Sequence, residues 1–191
     1  MSCGSSIVAS DLRRLFVALW PERREQVKLH RSSAVLLPKG ARAVATANLH
    51  LTLRYLGPVA AGQQACVESE LAEVAGPAFS LCLDRPGYFE RPQVVWIGSA
   101  APPQALFALQ QRVEKRLARC GFAPESRPFV PHVTVARKVQ RRPRFPPFEA
   151  VTWQVRRLAL VESLSEPAGV RYRLVRCWHL GFAAERGPSG S

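Results

Sequence analysis

The sequence contains two short segments with the same pattern, NLHLTLRYLG at residues 48–57 and FVPHVTVAR at residues 129–137. Each has a histidine and a threonine two positions apart, with aliphatic residues between and after them. Polar and apolar residues that alternate with period two predict a half-buried β-strand, because successive side chains of a strand point to opposite faces. We therefore expect His50 and Thr52 to share one face of a strand, and His132 and Thr134 to share one face of another.

The repetition of this pattern is the strongest functional signal in the chain. The sequence has four histidines, and two of them are followed by threonine at the same spacing inside an apolar strand. One such pair is weak evidence, since chance can produce it. An imidazole and a hydroxyl on one strand face cost free energy of burial unless they have partners or a use. Two plain half-buried strand histidines are therefore the weaker interpretation.

The order of predicted elements indicates two similar halves. Helical patterns cover residues 22–36, 62–74 and 102–120, and strand patterns cover residues 12–20, 44–56, 79–83, 93–98, 129–137, 153–162 and 170–179. Residues 84–92 and the basic, proline-rich segment 139–148 are predicted to be loops. We predict one bilobed α+β domain over residues 12–182, with flexible tails at 1–11 and 183–191. Its two mixed, mostly antiparallel sheets face a central cleft with pseudo-twofold symmetry, and the helices pack outside.

Composition favours an RNA or another polyanion as partner and disfavours a membrane. Lys and Arg total 27 against 14 Asp and Glu, a net charge of +13, which attracts nucleic acid. Much of the excess is arginine alongside alanine and proline, as base composition alone also produces, so the charge is modest support. The N-terminal residues lack a signal-peptide pattern, and no apolar run reaches the length of a membrane span.

The cysteines predict a reducing environment. The sequence has five cysteines, scattered and without any Cys-x-x-Cys pair. This pattern argues against a disulfide framework and against a zinc site, and it fits the cytoplasm. A cysteine nucleophile is possible, but no feature of the sequence marks one.

Two histidine–threonine pairs in one cleft are suited to metal-free phosphodiester chemistry. Imidazole titrates near neutral pH, so that one ring can act as a base while the other acts as an acid. The threonine hydroxyls can donate hydrogen bonds to a phosphate, and the nearest arginines, Arg54 and Arg137, can neutralise it. A metal site is the alternative use of two histidines. It would normally need further ligands, and neither segment has an Asp or Glu within five residues of its histidine. We predict no metal and no other cofactor.

The two arginines differ in their position relative to the histidines. Strict alternation puts Arg54 on the face of His50 but puts Arg137 on the face opposite His132. Arg137 reaches the cleft only if its strand twists, bulges or ends before it.

The two segments resemble the twin motifs of the two-histidine phosphoesterase superfamily. Within it the chain is similar to the bacterial and archaeal RNA 2′,3′-cyclic phosphodiesterases, historically called 2′-5′ RNA ligases. The likeness also includes RLFVAL at residues 14–19, VVWIG at residues 94–98 and the pair Arg171-Tyr172. It extends over roughly residues 13 to 182.

The resemblance implies a fold, a reaction and roles for individual residues. The fold is bilobed with a central cleft, and the reaction hydrolyses a terminal ribose 2′,3′-cyclic phosphate of RNA to a 2′-phosphomonoester. Some members also join tRNA halves through a 2′-5′ linkage. By position, His50 would be the general acid on the 3′ oxygen and His132 the general base on water, although these two labels can be exchanged. Thr52, Thr134 and Arg137 would bind the phosphate.

Several alternatives stay open at the level of sequence. A basic RNA-binding module could use the same strands without catalysis, and the same fold could act on 2′-5′ oligonucleotides or on a small cyclic nucleotide. Phe16 either stacks on a base or belongs to the core. The run of arginines from 141 to 144 is either a solvated loop or a contact for backbone phosphates. The sequence carries no oligomerisation signal, so we expect a monomer.

Overall fold

The computed structural model of the protein describes residues 12–167 and 169–181. Its α-helices are α1 (Arg23–Ser33), α2 (Ala61–Ala72) and α3 (Gln104–Ala118). Its strands are β1 (Arg13–Leu19), β2 (Arg42–Ala43), β3 (Leu51–Val59), β4 (Phe79–Leu83), β5 (Arg85–Phe89), β6 (Val94–Gly98), β7 (His132–Arg137), β8 (Val151–Val155), β9 (Arg157–Glu166) and β10 (Gly169–His179). The predicted tails at 1–11 and 183–191 lie outside the described residues.

The strands form one long sheet and one short ribbon. The long sheet has the order β10-β9-β1-β3-β7-β6-β5, with β2 beside β7, and β4 pairs with β8 in the ribbon. Every pairing in the described chain is antiparallel. The predicted α+β class with mostly antiparallel strands is confirmed. The two predicted sheets are not separate, because β3 and β7 join them through one residue pair, Leu51 and Val133.

The helices cover one face of the long sheet and build the main core with it. The apolar face of α3 consists of Leu106, Leu109, Val113 and Leu117, which are at most 1% exposed. These positions recur at helical spacing, as the sequence predicts.

None of the helices in the described ranges is long and apolar enough to span a membrane.

One predicted loop is a strand. Residues 84–92 are rich in turn formers, yet Arg85–Phe89 forms β5 along the outer edge of β6. Gly87 pairs with Trp96 there, and a Cβ atom at Gly87 would overlap the Trp96 ring. Gly87 is a typical turn former in the sequence, but in the structure its lack of a side chain leaves room for the Trp96 ring on the neighbouring strand.

Two predicted strands have different limits in the structure. The run from 153 to 162 is divided between β8 in the ribbon and β9 in the long sheet, with Arg156 between them. The segment predicted to be extended from 44 onward contains a 3₁₀ turn at Thr46–Asn48, and β3 begins only at Leu51. Both differences arise because pairing partners, which the local pattern does not reveal, decide where a strand begins and ends.

A disulfide joins Cys66 of α2 to Cys120, which follows α3. The expectation of cysteines without disulfides is therefore wrong for this pair. The two residues are 54 positions apart, and only the packing of α2 against α3 brings them together. Among the described residues, Cys82 and Cys177 are free.

A charged cluster fastens the β9–β10 hairpin to β1. The Glu162 carboxylate accepts hydrogen bonds from Arg13 at 3.0 and 2.7 Å and from Arg173 at 2.9 and 2.6 Å. Glu162 is only 6% exposed. The hydrogen bonds from Arg13, and then those from Arg173, lower the pKa of this carboxyl from 4.5 to about 2. Because the folded-state pKa is depressed, the stabilisation is complete above pH 4.5 and is lost as the pH falls towards 2.

We predict that Glu162→Gln lowers the free energy of unfolding by about 1–2 kcal/mol at pH 7, a modest value because both arginines are partly exposed. The difference from the wild type should shrink as the pH falls from 4.5 towards 2. Urea unfolding followed by circular dichroism at several pH values measures it.

Glu166→Gln is the matched control, since the pair of Glu166 with Arg171 is exposed. This variant should stay within about 0.5 kcal/mol of the wild type. A Glu162→Gln deficit that is the same at pH 7 and pH 3 would contradict the electrostatic origin of the stabilisation.

Candidate active site

The two histidine motifs meet where β3 and β7 pair. Leu51 lies opposite Val133 in an antiparallel register. One step along each strand brings Thr134 across from His50 and His132 across from Thr52. Leu51 and Val133 are fully buried, so the four polar side chains project from the other face. A local twofold axis between Leu51 and Val133 therefore relates the two motifs.

His50 is fixed by hydrogen bonds at both ring nitrogens. Its Nδ1 lies 2.6 Å from the carbonyl oxygen of Asn48, and its Nε2 lies 3.1 Å from the hydroxyl of Thr52. A carbonyl oxygen only accepts, so Nδ1 carries the hydrogen. In the neutral ring Nε2 then accepts from Thr52, and this nitrogen is the one available to a substrate.

His132 repeats the first half of this arrangement. Its Nδ1 lies 2.7 Å from the carbonyl oxygen of Val130, again two residues before the histidine. The same hydrogen bond therefore selects the same tautomer in both motifs. Both rings present Nε2 to the cleft.

Aromatic rings pack around each imidazole. The His50 ring stacks on Trp20 at 5.5 Å between centroids and also contacts Phe16 at 4.9 Å and Tyr172 at 5.0 Å. The His132 ring contacts Phe89 at 5.1 Å and Trp96 at 6.0 Å. These contacts limit ring rotation and exclude water from one side of each imidazole.

The cleft between the motifs has a volume of about 230 Å³. Four of the predicted site residues line it in two pairs, His50 with Thr52 and His132 with Thr134, and Arg137 joins them. The remaining lining residues are Phe16, Tyr55, Ser163 and Tyr172. Arg54 is not among them.

A β-bulge in the first motif explains the position of Arg54. Thr52 pairs with Ala18 and Arg54 pairs with Val17, so that Leu53 is an extra residue in β3. Residues directly opposite each other lie on the same face, and Val17 belongs to the main core. The bulge therefore turns Arg54 to the helix-covered face and brings Tyr55 to the cleft.

The second motif has the same bulge at the same position. Thr134 pairs with Trp96 and Ala136 pairs with Val95, which leaves Val135 as the extra residue. Val135 and Ala136 are both buried in the main core. Strict alternation fails at this point, and Arg137 returns to the face of His132. In each motif the fifth residue after the histidine lines the cleft, Tyr55 in the first and Arg137 in the second.

The guanidinium of Arg54 is engaged in structural contacts. It forms an ion pair with Glu114 of α3 at 3.5 Å and donates to the carbonyl oxygen of Ala123. Its side chain is 11% exposed. The structure thus brings together all predicted site residues except Arg54.

Sequence reasoning missed three residues of the cleft. Tyr55 could have been found by aligning the two motifs, because it occupies the position that Arg137 has in the second. Ser163 and Tyr172 pair across the β9–β10 hairpin. No local signal marks Ser163, whereas Tyr172 belongs to the pair Arg171-Tyr172 that contributes to the family resemblance, although no site role was assigned to it. Phe16 is 4% exposed and also touches His50, so it is both a core residue and a wall of the cleft.

The cleft lowers the pKa of both histidines. Burial, and then the positive charge of Arg137, lower the pKa of His50 from 6.5 to about 4, although the hydrogen bond to Asn48 acts in the opposite direction. Burial, and then Arg137, also lowers the pKa of His132. Both rings are therefore mainly neutral at pH 7. An anion between them would favour the protonated forms and raise both pKa values.

Other histidines do not contribute to this cleft. His30 on α1 and His179 at the end of β10 are exposed, and neither lines it. Within residues 12–167 and 169–181, no three His, Cys, Asp or Glu side chains group as metal ligands would.

The sequence matches a known protein family over most of its length. The family model described as the 2′-5′ RNA ligase superfamily matches residues 18–167 of this chain. The chain belongs to the 2′-5′ RNA ligase superfamily. The resemblance predicted from the two motifs is confirmed, and the matched residues include both motifs of the cleft.

Several relatives in this superfamily match nearly the whole chain. The RNA 2′,3′-cyclic phosphodiesterase of Escherichia coli K12 is 34% identical over 175 residues, 90% of this chain and 98% of the relative. The enzyme of the same name from Archaeoglobus fulgidus is 32% identical over 85% of this chain and 98% of its own length. The crystal structure of E. coli LigT in its apo form has a TM-score of 0.80 and 30% identity, and the match covers 90% of this chain and 99% of that one.

We predict that Arg137→Gln raises the pKa of both His50 and His132, because the variant removes a positive charge that lowers them. The pKa of His50 should remain below 6.5, since burial is the largest cause of its depression and stays in place in the variant. NMR titration of the ¹⁵N-labelled histidine rings measures both values.

Arg54→Gln is the control for this titration. It should leave both histidine pKa values in place while lowering the free energy of unfolding by about 1–3 kcal/mol, because Glu114 loses its partner. Equal shifts in the two variants would show that Arg137 has no special relation to the cleft.

Proposed function

We propose that this protein hydrolyses the terminal 2′,3′-cyclic phosphate of RNA to a 2′-phosphomonoester without a metal ion. One observation carries the proposal: two imidazoles of the same tautomer present Nε2 to one cleft that also contains two threonine hydroxyls and Arg137. Such a cleft supplies an acid, a base and fixed donors around one phosphate.

The relatives support the substrate class. The curated relatives from E. coli and A. fulgidus are both named RNA 2′,3′-cyclic phosphodiesterases. E. coli LigT has been crystallised with 3′-AMP, in a structure of TM-score 0.78 that covers 88% of this chain, and also with phosphate. A nucleotide and an anion are both ligands that the cleft described above would accept.

In the proposed reaction, His132 takes a proton from water as the water oxygen bonds to phosphorus. The bond from phosphorus to the ribose 3′ oxygen breaks, and His50 gives its Nε2 proton to that oxygen. The product keeps the phosphate on the 2′ oxygen. His132 has gained the proton of the water, and His50 has lost its proton to the 3′ oxygen. The hydroxyls of Thr52 and Thr134 and the guanidinium of Arg137 stabilise the charge on the remaining phosphate oxygens.

The depressed histidine pKa values fit this reaction. A base must be neutral before it acts, and both rings are mainly neutral at pH 7 before an anion binds. Binding of the phosphate anion would raise both pKa values and would allow one ring to hold the proton that the 3′ oxygen needs. With an RNA 5′-hydroxyl in place of water as the nucleophile, the same steps would form a 2′-5′ linkage: His132 would take the proton of the 5′-hydroxyl, and His50 would again protonate the departing 3′ oxygen.

We further propose that the protein acts as a monomer in the cytoplasm. Both histidine–threonine pairs and Arg137 line one cleft within a single chain, which supports a monomer. RNA with cyclic phosphate ends is the expected partner, and the cytoplasmic location rests on this partner. The cysteines do not support that location, because Cys66 and Cys120 form a disulfide.

We predict that His50→Ala and His132→Ala each lower kcat by at least about 10²-fold, the usual scale for a general acid or base. The assay uses a short RNA ending in a 2′,3′-cyclic phosphate, with EDTA present, and identifies the product isomer by chromatography. Wild-type protein should release the 2′-phosphate only.

His30→Ala is the control, since that residue is exposed and outside the cleft, and it should keep wild-type turnover. Unchanged rates in both cleft variants would refute the mechanism. Tight RNA binding without turnover by the wild type would indicate a binding module, and turnover that requires a divalent ion would indicate a metal enzyme.

We predict that the two histidine variants respond differently to sulfur at the leaving position. A thiolate leaves without an acid more readily than an alkoxide does, so a substrate with sulfur in place of the 3′ oxygen should restore much of the rate of His50→Ala. The His132→Ala variant should stay slow, because its defect lies in water activation. Single-turnover rates on matched oxygen and sulfur substrates measure the two ratios.

The reverse result, rescue of His132→Ala alone, would exchange the acid and base labels. Rescue of neither variant would mean that protonation of the leaving oxygen does not limit the rate.

A further inference from the structure

A second cavity, of about 370 Å³, adjoins the catalytic cleft. His50, Thr134, Arg137 and Tyr172 line both spaces, so the two are continuous. This size falls in the range of small-molecule sites, about 300–1,000 Å³. The reaction proposed above uses only the smaller cleft and leaves the second cavity without a role.

The second cavity is lined by positive charge. Arg42, Arg137 and Lys138 contribute to its walls, and no Asp or Glu does. The amide side chains of Asn48 and Gln93 also line it. The guanidinium of Arg42 lies directly against Gly169, where a Cβ atom would overlap it. Clustered cations without a carboxylate in a concave wall concentrate anions.

Two strained residues shape the same cavity. Gln93 and Lys138 have φ angles of 63° and 59°, and they are the non-glycine residues with left-handed backbone in the part of the chain that the structure describes. Both line this cavity, and the amide of Val139 donates to the carbonyl oxygen of Gln93 at 3.1 Å. Backbone strain of this kind concentrates at functional sites. The turn at Lys138 lets two consecutive side chains, Arg137 and Lys138, line one pocket.

The positive charge continues outward to the basic loop. Gln93 also lines a neighbouring depression of about 410 Å³, together with Arg91, Arg141 and Arg142 and one carboxylate, Glu90. A row of cations thus runs from the catalytic cleft through the second cavity to residues 141 and 142. Its positive charge and its continuation over adjoining cavities fit a chain of phosphates better than a single nucleotide.

We propose that the second cavity is a nucleotide subsite for the RNA strand, and that it binds the phosphodiester on the 5′ side of the reacting end. The basic loop continues the path for phosphates further upstream. This inference rests on the proposed function, since it places the reacting end in the catalytic cleft. A protein with such a subsite would act more efficiently on the cyclic phosphate end of an RNA strand than on a cyclic mononucleotide.

The test compares kcat/KM for a nucleoside 2′,3′-cyclic phosphate with kcat/KM for a dinucleotide and a tetranucleotide with the same end. Wild-type kcat/KM should rise with length. Lys138→Gln should lower the advantage of the dinucleotide over the mononucleotide about tenfold. The double variant Arg141→Gln/Arg142→Gln should lower mainly the further advantage of the tetranucleotide. Lys28→Gln is the matched control, because Lys28 is exposed on α1 and lines a different groove.

Salt dependence gives an independent readout. The slope of log kcat/KM against log salt should become steeper by about 0.7 for each phosphate contact in a single strand. Lys138→Gln should remove one such increment for the dinucleotide, and Lys28→Gln should remove none.

Equal kcat/KM for all three substrates, or an equal loss on all three in Lys138→Gln, would overturn the subsite. If the wild type hydrolyses none of them, the proposed function fails instead. Fluorescence anisotropy with a labelled 2′-phosphorylated tetranucleotide then decides the subsite alone: weaker binding by Lys138→Gln than by Lys28→Gln would support it, and equal binding would overturn it.

Discussion

The pairing of Leu51 with Val133 is the contact on which the candidate site depends. These two residues join the halves of the long sheet through a single pair, and both side chains are fully buried beneath it. An antiparallel pair of this kind carries its own local twofold axis, so two copies of one short motif become two walls of one cleft. A shift of the register by one residue would send the histidine of one motif into the core.

The two bulges give the symmetric walls different chemistry. Leu53 and Val135 are inserted at equivalent positions, and each changes which residue follows the threonine into the cleft. In the first motif that residue is an aromatic ring, Tyr55, and in the second it is a cation, Arg137. The cation disfavours protonation of both imidazoles, whereas a bound phosphate would offset it. The charge balance of the cleft therefore depends on whether an anion is present.

The sequence was sufficient to predict the histidine and threonine positions, the α+β class and the apolar face of α3, because each rests on a periodicity of neighbouring residues. It was insufficient for features that depend on a partner strand or helix. An extra residue such as Val135 is apolar like its neighbours, so only the register against β6 identifies it as a bulge. The strand β5 was missed since Gly87 is needed for the Trp96 ring opposite it. The disulfide was missed because α2 and α3 bring Cys66 and Cys120 together over a long separation.

The disulfide also divides the chain into parts that would respond differently to mechanical force. Cys66 and Cys120 close a covalent ring that contains β4, β5, β6 and α3. Tension between the two ends of the chain would pass through the disulfide bond and bypass the residues of the ring. These residues could not be pulled out, so the chain would extend less by up to about 3.6 Å for each of them. Both histidine motifs lie outside the ring, one on each side of it. A pulling force would therefore act along the backbone of the cleft strands, while the backbone of the enclosed strands and of α3 would carry no tension.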